Sequence, residues 1–158
     1  MCGIVGYIGN DQAVPVLLQG LEKLEYRGYD SAGVAVFSED GLKVVKSKGR
    51  LRVLSDLLDG GKALTGTLGI GHTRWATHGA PNIINSHPHV SENGKFAVIH
   101  KGIIENYVEI KEFLIGQGIR FKSETDTEVV AQPLEFYYNE CHDFLEAVGR
   151  VLRRIEGC

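Results

Sequence analysis

Apolar residues between Gln12 and Leu24 recur at the spacing of one helix face, and extended segments lie on both sides of this stretch. The preceding segment, Cys2 to Ile8, is rich in β-branched residues. The following segment, Gly33 to Phe37, leads through the turn Glu39-Asp40-Gly41 into another extended run at Leu42 to Ser47. A helix that must bury one face beside strands joined by a hairpin predicts an α+β fold.

The remainder of the chain continues this alternation. The predicted elements are a short helix at Leu51 to Leu58, a strand at Lys95 to His100, and helices at Ile103 to Ile115, Thr127 to Tyr138 and Asp143 to Ile155. We expect Pro133 to break or kink its helix, because proline lacks the backbone N–H that a helix interior requires. The segment TLGIGHTRWATHGAPNIINSHPHV predicts a strand that enters a long polar loop, and such loops are usually functional.

The length and composition fit one globular domain. Hydrophobic residues make up 43% and charged residues 23% of the 158 positions, and the formal net charge is −3, which argues against disordered and collagen-like classes. Basic residues are dispersed, so no nucleic-acid surface is predicted. No stretch approaches the roughly 20 apolar residues of a membrane helix, and no signal segment follows Met1. We therefore expect a cytoplasmic protein without a membrane or nucleic-acid partner.

Cys2 directly follows the initiator methionine and allows two interpretations. It is either a small buried residue of the first strand or, after removal of Met1, a nucleophile whose own α-amine acts as its base. Such an amine and a thiol have reference pKa values of about 7.7–8.0 and about 8.5, close enough to exchange a proton. The other cysteines, Cys141 and Cys158, are distant and lack CxxC spacing, so no disulfide framework or zinc cluster is predicted.

Acyl transfer at Cys2 also needs a donor for the developing oxyanion and anchors for a substrate. Gly102, after the strand KFAVIH, can present a backbone N–H, or it is a plain turn glycine. Arg74 can hold a carboxylate with its forked guanidinium, or it is a surface charge. Asp126 can hold an ammonium group, or it only caps a helix. The residues by themselves leave these alternatives open.

The histidines and glycines of the chain form no recognisable metal or phosphate motif. HPH is a weak spacing for a metal, and neither HExxH nor a cysteine pair accompanies it. The stretch Gly60-Gly61-Lys62 lacks the rest of a phosphate-binding loop. We therefore predict no metal and no cofactor.

Six motifs occur together in one order, and the match to which they belong runs over essentially the whole chain: MCGIVGYIG, LEYRGYDSAG, GHTRWATHG, HPHV, GIIENY and SETDTE. In this combination the chain closely resembles the glutaminase domain of the glutamine:fructose-6-phosphate amidotransferases, which are class II glutamine amidotransferases. The resemblance implies an N-terminal-nucleophile (Ntn) hydrolase fold, a four-layer αββα sandwich of antiparallel sheets. It also implies that the substrate is L-glutamine, whose side-chain amide is hydrolysed through a γ-glutamyl thioester without a cofactor.

The resemblance also places substrate-binding roles on matching positions. It implies that Arg74 holds the α-carboxylate of glutamine and that Asp126 holds its α-ammonium group. Thr77 and His78, from the HTRWATHG segment, line the same pocket. Trp75 belongs to a loop that closes over glutamine in such enzymes.

The catalytic roles implied by the resemblance fall on Cys2 as the nucleophile, Arg27 near it, and Gly102 as one oxyanion donor. The chain departs from the family at Lys101, because HKGIIEN replaces HNGIIEN and the asparagine that completes the oxyanion hole is absent. Loss of one such donor costs about 100- to 1,000-fold in turnover. A lysine has a long flexible stem and is a poor substitute for a short planar amide.

The family domain continues beyond the length of this chain, so residues 1–158 are expected to be a glutaminase domain truncated at its C-terminus, without a sugar isomerase domain. An incomplete sandwich favours association as a homo-oligomer or with a partner chain that completes the sheet. Two functions stay open. One is glutamine hydrolysis, which in the full-length family supplies ammonia for glucosamine 6-phosphate synthesis from fructose 6-phosphate. The other is an impaired or inactive homologue that acts as a glutamine-binding or interaction module.

Overall fold

The computed structural model describes residues 2–28, 30–76 and 79–157. The chain divides into two compact units, Met1–Pro88 and His89–Cys158. Both units combine helices with antiparallel strands, so the predicted α+β class is confirmed.

The first unit contains, within its described residues, one four-stranded antiparallel sheet in the order β1-β4-β2-β3. Its strands are β1 (Gly3–Ile8), β2 (Ser31–Ser38), β3 (Gly41–Lys48) and β4 (Leu68–Arg74). Gly3 pairs with Thr73, and Ser31 pairs with both Arg74 and Lys48. The start of β1, the end of β4 and the start of β2 therefore lie at the same end of the sheet.

Two helices pack on the face of this sheet that carries Val34 and Val36. They are α1 (Ala13–Leu24), followed by a 3₁₀ turn at Glu25–Arg27, and α2 (Leu51–Leu57), followed by a 3₁₀ turn at Asp59–Gly61. Leu21 of α1 is fully buried, which is worth about 1.5–3 kcal/mol. A Cβ atom at Gly71 of β4 would lie 2.9 Å from Leu21 Cδ1, so a glycine there lets the helix approach the sheet closely.

The second unit contains a short strand pair and three helices among its described residues. These elements are β5 (His89–Val90), β6 (Ala97–Val98), α3 (Tyr107–Gly116), α4 (Glu128–Cys141) and α5 (Phe144–Arg154). One core cluster joins Ile104 to the buried side chains of α3 and α4, and another joins Leu134 to Val151 of α5. The Asp143 carboxylate caps α5 by accepting a hydrogen bond from the Glu146 N–H at 2.8 Å.

Two predictions in this unit were wrong, and a third, that Pro133 breaks or kinks its helix, was wrong as to the break. The strand predicted at 95–100 is only two residues long, and the helix expected from Ile103 begins at Tyr107. The residues between this strand and this helix form a loop, because the Asp126 side chain accepts a hydrogen bond from the Ile104 N–H. Pro133 does not break α4. Proline removes one backbone hydrogen bond from the helix, but the Gln132 amide donates to Glu128 at 3.0 Å across the same turn, and Val129 packs in the core.

Candidate functional site

Cys2 lies at the end of the sheet where β4 stops, and its thiol contacts one residue of the segment that follows. The Trp75 N–H donates to Cys2 Sγ at 3.3 Å, and Sγ lies 3.6 Å from the Trp75 carbonyl oxygen, which can accept the thiol proton. The pairing of Gly3 with Thr73 produces this contact, because it brings the residues just outside both strands together. Cys2 is half-buried, so the interpretation as a fully buried core residue is wrong.

Arg74, the last residue of β4, is 3% exposed, so its interpretation as a surface charge is wrong. Its guanidinium donates to the carbonyl oxygens of Gly79 at 3.3 Å and of Ala80 at 3.4 Å. Trp75 is 52% exposed. Thr77 and His78, the other predicted residues of this segment, lie outside the described residues.

Asp30, in the EYRGYDSAG motif, contacts the same segment and was missed by sequence reasoning. One of its carboxylate oxygens accepts a hydrogen bond from the Ala76 N–H, and the other accepts from the Ser31 hydroxyl at 2.9 Å. A sequence signal did exist, since an aspartate directly before a strand often bonds to backbone N–H groups. That signal could not predict that the bonded N–H group belongs to Ala76, 46 residues away.

His72, two residues before Arg74, is 1% exposed and stacks on His87 with ring centroids 4.6 Å apart. Neither of its ring nitrogens has a hydrogen-bond partner among the described residues. Burial, and after it the positive charge of Arg74, lowers the pKa of His72 from 6.5 to about 3. The ring is therefore neutral at physiological pH.

Arg27 lies in the 3₁₀ turn after α1. Its Nε atom donates to the Tyr26 hydroxyl at 3.2 Å, and its guanidinium carbon lies 5.7 Å from the centroid of the Tyr26 ring. Its expected place near the nucleophile stays a prediction.

The second unit contains Lys101, Gly102 and Asp126. Lys101 and Gly102 are both exposed, and Gly102 has a φ of +156°, which residues with a Cβ rarely adopt. Asp126 is 4% exposed, and its Oδ2 atom accepts a hydrogen bond from the Ile104 N–H at 2.8 Å. The N-cap of α4 is Thr127, and the carboxylate of Asp126 is bonded to the 101–104 loop. The interpretation of Asp126 as only a helix cap is therefore wrong.

Glu128 supports the turn that carries Asp126, a role that the sequence pattern did not reveal. Its carboxylate accepts hydrogen bonds from the N–H groups of Lys122 and Ser123, the Ser123 hydroxyl at 2.6 Å and the Gln132 amide. Burial by itself would raise the pKa of Glu128, but these hydrogen bonds outweigh it and lower the pKa below its usual value. The SETDTE segment is thus fixed to the first turn of α4 by an ionised carboxylate.

Two kinds of feature are absent from the described part of the chain. No group of three or more histidine, cysteine, aspartate or glutamate side chains there could hold a metal ion. Nor does that part contain a helix long and apolar enough to cross a membrane.

Comparison with known proteins shows similarity over nearly the whole chain. A family model described as "Glutamine amidotransferase domain" matches residues 58–148. The glutamine–fructose-6-phosphate aminotransferase (isomerizing) of Caldanaerobacter subterraneus subsp. tengcongensis is 59% identical over 99% of this chain and 25% of the relative. A Thermus thermophilus protein of the same name is 57% identical over 99% of this chain and 26% of the relative. The chain spans about a quarter of the length of these curated relatives.

Two solved structures share the fold. Glutamine phosphoribosylpyrophosphate amidotransferase from B. subtilis, complexed with ADP and GMP, has a TM-score of 0.81 and 25% identity, and the match covers 99% of this chain and 33% of that chain. A structure described as the allosteric regulatory enzyme of purine biosynthesis has a TM-score of 0.82 and 26% identity, and the match covers 99% and 34%. These amidotransferases are Ntn hydrolases, so the predicted fold class is confirmed.

Proposed function

This chain belongs to the glutamine amidotransferase domain family, and on that premise we propose that it hydrolyses the side-chain amide of glutamine with Cys2 as the nucleophile. The observation that carries the proposal is the hydrogen bond from the Trp75 N–H to Cys2 Sγ at 3.3 Å. A backbone N–H directed at the sulfur fixes the position of the atom that, as a thiolate, attacks a carbonyl carbon.

The reaction proceeds in two halves. Removal of Met1 gives Cys2 a free α-amine, which accepts the thiol proton. The sulfur attacks Cδ of glutamine, the C–N bond of the amide breaks, and the amine returns the proton to the nitrogen, which leaves as ammonia. Water then adds to the γ-glutamyl thioester, the S–C bond breaks, and glutamate departs as the thiol is restored.

In this proposal, two buried side chains of opposite charge bind the charged ends of glutamine. Arg74, 3% exposed, binds the α-carboxylate, and Asp126, 4% exposed, binds the α-ammonium group. Their burial supports these roles, because hydrogen bonds between charged groups are stronger away from water. The family resemblance assigns Thr77 and His78 to the same pocket and gives Trp75 the role of covering the bound glutamine.

Stabilisation of the oxyanion is the weakest part of the site. The Gly102 N–H supplies one donor, and Arg27 contributes positive charge near the nucleophile. Lys101, an exposed side chain, stands where the family resemblance places the asparagine that supplies the second donor. This observation favours the second candidate, a homologue that binds glutamine but turns it over slowly or not at all.

We also propose that the ammonia is used by the longer protein to convert fructose 6-phosphate to glucosamine 6-phosphate. The support is the name shared by relatives that are 57–59% identical and about four times as long as this chain. Association with a second copy or with a partner chain belongs to the same proposal. Its support is the exposure of Ile4, Ile8 and Leu68, which is 45%, 80% and 44%.

The proposal is tested by intact-mass measurement before and after incubation with 6-diazo-5-oxo-L-norleucine, an electrophilic analogue of glutamine. We expect a chain without Met1 that gains one adduct. The adduct should be lost in Cys2→Ala and kept in Cys141→Ala, which removes another free thiol.

Two results would count against the enzyme. Retention of Met1 without any adduct would overturn the nucleophile assignment. An adduct that persists in Cys2→Ala would assign the reaction to a different residue. A parent chain that binds glutamine in calorimetry but gives neither adduct nor ammonia would support the binding module.

A further inference from the structure

Asp30 faces Cys2 across two consecutive peptide groups of the segment Arg74-Trp75-Ala76. In the first peptide group, the Arg74 carbonyl accepts from the Asp30 N–H at 3.2 Å, while the Trp75 N–H at the opposite end donates to Cys2 Sγ at 3.3 Å. In the second, the Ala76 N–H donates to the Asp30 carboxylate, while the Trp75 carbonyl lies 3.6 Å from Cys2 Sγ. Each peptide group is thus bonded to Asp30 on one side and to Cys2 on the other.

Asp30 is itself held firmly, as this arrangement requires. Its carbonyl oxygen accepts from the Gly49 N–H at 2.7 Å, and its second carboxylate oxygen accepts from the Ser31 hydroxyl at 2.9 Å. Ser31 begins β2 and pairs with Arg74 of β4. The sheet therefore fixes Asp30, and Asp30 fixes the orientation of the two peptide planes.

We propose that Asp30 is a positioning residue of the glutaminase site, which holds the Trp75 N–H on the sulfur of Cys2 by anchoring the far ends of both peptide groups. The inference rests on the proposed function, because it assigns Asp30 a role in the positioning of that nucleophile. Asp30 acts on the sulfur through the peptide groups. Without the anchor, the Arg74-Trp75-Ala76 segment can rotate, and the sulfur loses the N–H donor that fixes its position.

The test measures the second-order rate of Cys2 alkylation by iodoacetamide as a function of pH. This reaction needs no glutamine, so it gives an answer even where the chain has no glutaminase activity. Asp30→Glu keeps the charge but moves the carboxylate by one methylene. Asp30→Asn removes the charge but keeps an oxygen that can accept from the Ala76 N–H. Asp11→Asn, at an exposed aspartate beyond the far end of β1, is the matched control.

We expect Asp30→Glu to lower the alkylation rate at pH 7 about tenfold, as for loss of one hydrogen bond to the reacting sulfur. Asp30→Asn should change the rate less than Asp30→Glu, and Asp11→Asn should match the parent. A parent-like rate in Asp30→Glu overturns the proposal. A faster rate in Asp30→Asn with no change in Asp30→Glu also overturns the proposal, because that pattern would show that only the negative charge of Asp30 affects the alkylation rate.

A measurement on the unsubstituted chain decides the matter if the variants do not fold. Alkylation of Cys2 turns its sulfur into a thioether, a weaker acceptor for the Trp75 N–H, but leaves the Ala76 N–H on Asp30. We expect amide hydrogen exchange to become faster at Trp75 and to stay slow at Ala76. Equal acceleration at both amides would show that Asp30 does not hold the segment.

Discussion

The Ile104 N–H donates to Asp126 Oδ2 at 2.8 Å, and both residues are buried. A single carboxylate therefore fixes the loop that follows Gly102 and, in the proposed function, also binds the ammonium group of glutamine. The two tasks use different properties of the side chain. The loop needs an oxygen that accepts a hydrogen bond, whereas the ammonium group needs a negative charge.

Substitutions at Asp126 should separate these two tasks. Asp126→Ala leaves the buried Ile104 N–H without its acceptor and should destabilise the fold by about 1–3 kcal/mol in urea denaturation. Asp126→Asn keeps an acceptor and should lose less stability, but it should abolish glutamine binding measured by calorimetry in a Cys2→Ala background. Glutamine binding by Asp126→Asn at the affinity of the parent would contradict the assigned role.

Replacement of Lys101 by asparagine should restore the missing oxyanion donor. Lys101→Asn should raise glutamate release about 100- to 1,000-fold, the usual effect of one such donor. The increase should appear in kcat more than in KM, because the donor acts on the transition state. Lys62→Asn, at another exposed lysine, controls for the change in net charge. Equal turnover by Lys101→Asn and the parent would show that the lysine does not limit glutamine hydrolysis.

Gly33 of β2 should not tolerate a side chain. A Cβ atom there would collide with the carbonyl oxygen of His87, so Gly33→Ala should cost about 1–3 kcal/mol through overpacking. Gly6 of β1 provides the matched comparison, because a Cβ atom at that position meets nothing within 4 Å. Gly6→Ala should leave stability unchanged or raise it by up to about 1 kcal/mol. Similar urea midpoints for both variants would contradict the collision.

His72 should make the fold sensitive to acid. The native ring stays neutral down to about pH 3, whereas the unfolded one is protonated below about 6.5, so the unfolded state binds the extra proton between these values. Stability is therefore lost as the pH falls through that window, by about 2 kcal/mol between pH 7 and 5. His72→Phe keeps a ring beside His87 and cannot titrate. Its urea-denaturation free energy should fall by about 2 kcal/mol less over the same range, and an equal fall would refute the prediction.

Much of the fold followed from local patterns, because apolar periodicity reports which face of an element is buried. The strands β1 to β3 and both helices of the first unit formed close to their predicted ranges, and β4 formed at the start of the segment that was expected to enter the long loop. The strand predicted at 95–100 did not form in full, because strand propensity cannot show that a distant Asp126 holds the following loop. The burial of Arg74 could not be predicted either, because its hydrogen-bond partners belong to a loop without a periodic pattern.

The pairing of β1 with β4 also has a consequence for how the chain is made. Cys2 is among the first residues to be synthesised, but the N–H group that donates a hydrogen bond to its sulfur belongs to Trp75, 73 positions later. A nascent chain must therefore close a long loop before its sulfur gains this donor, and contacts between such distant residues form slowly. Until β4 has left the ribosome and paired, the sulfur lacks this donor, so the folding of the first unit determines when the surroundings of the proposed nucleophile are complete.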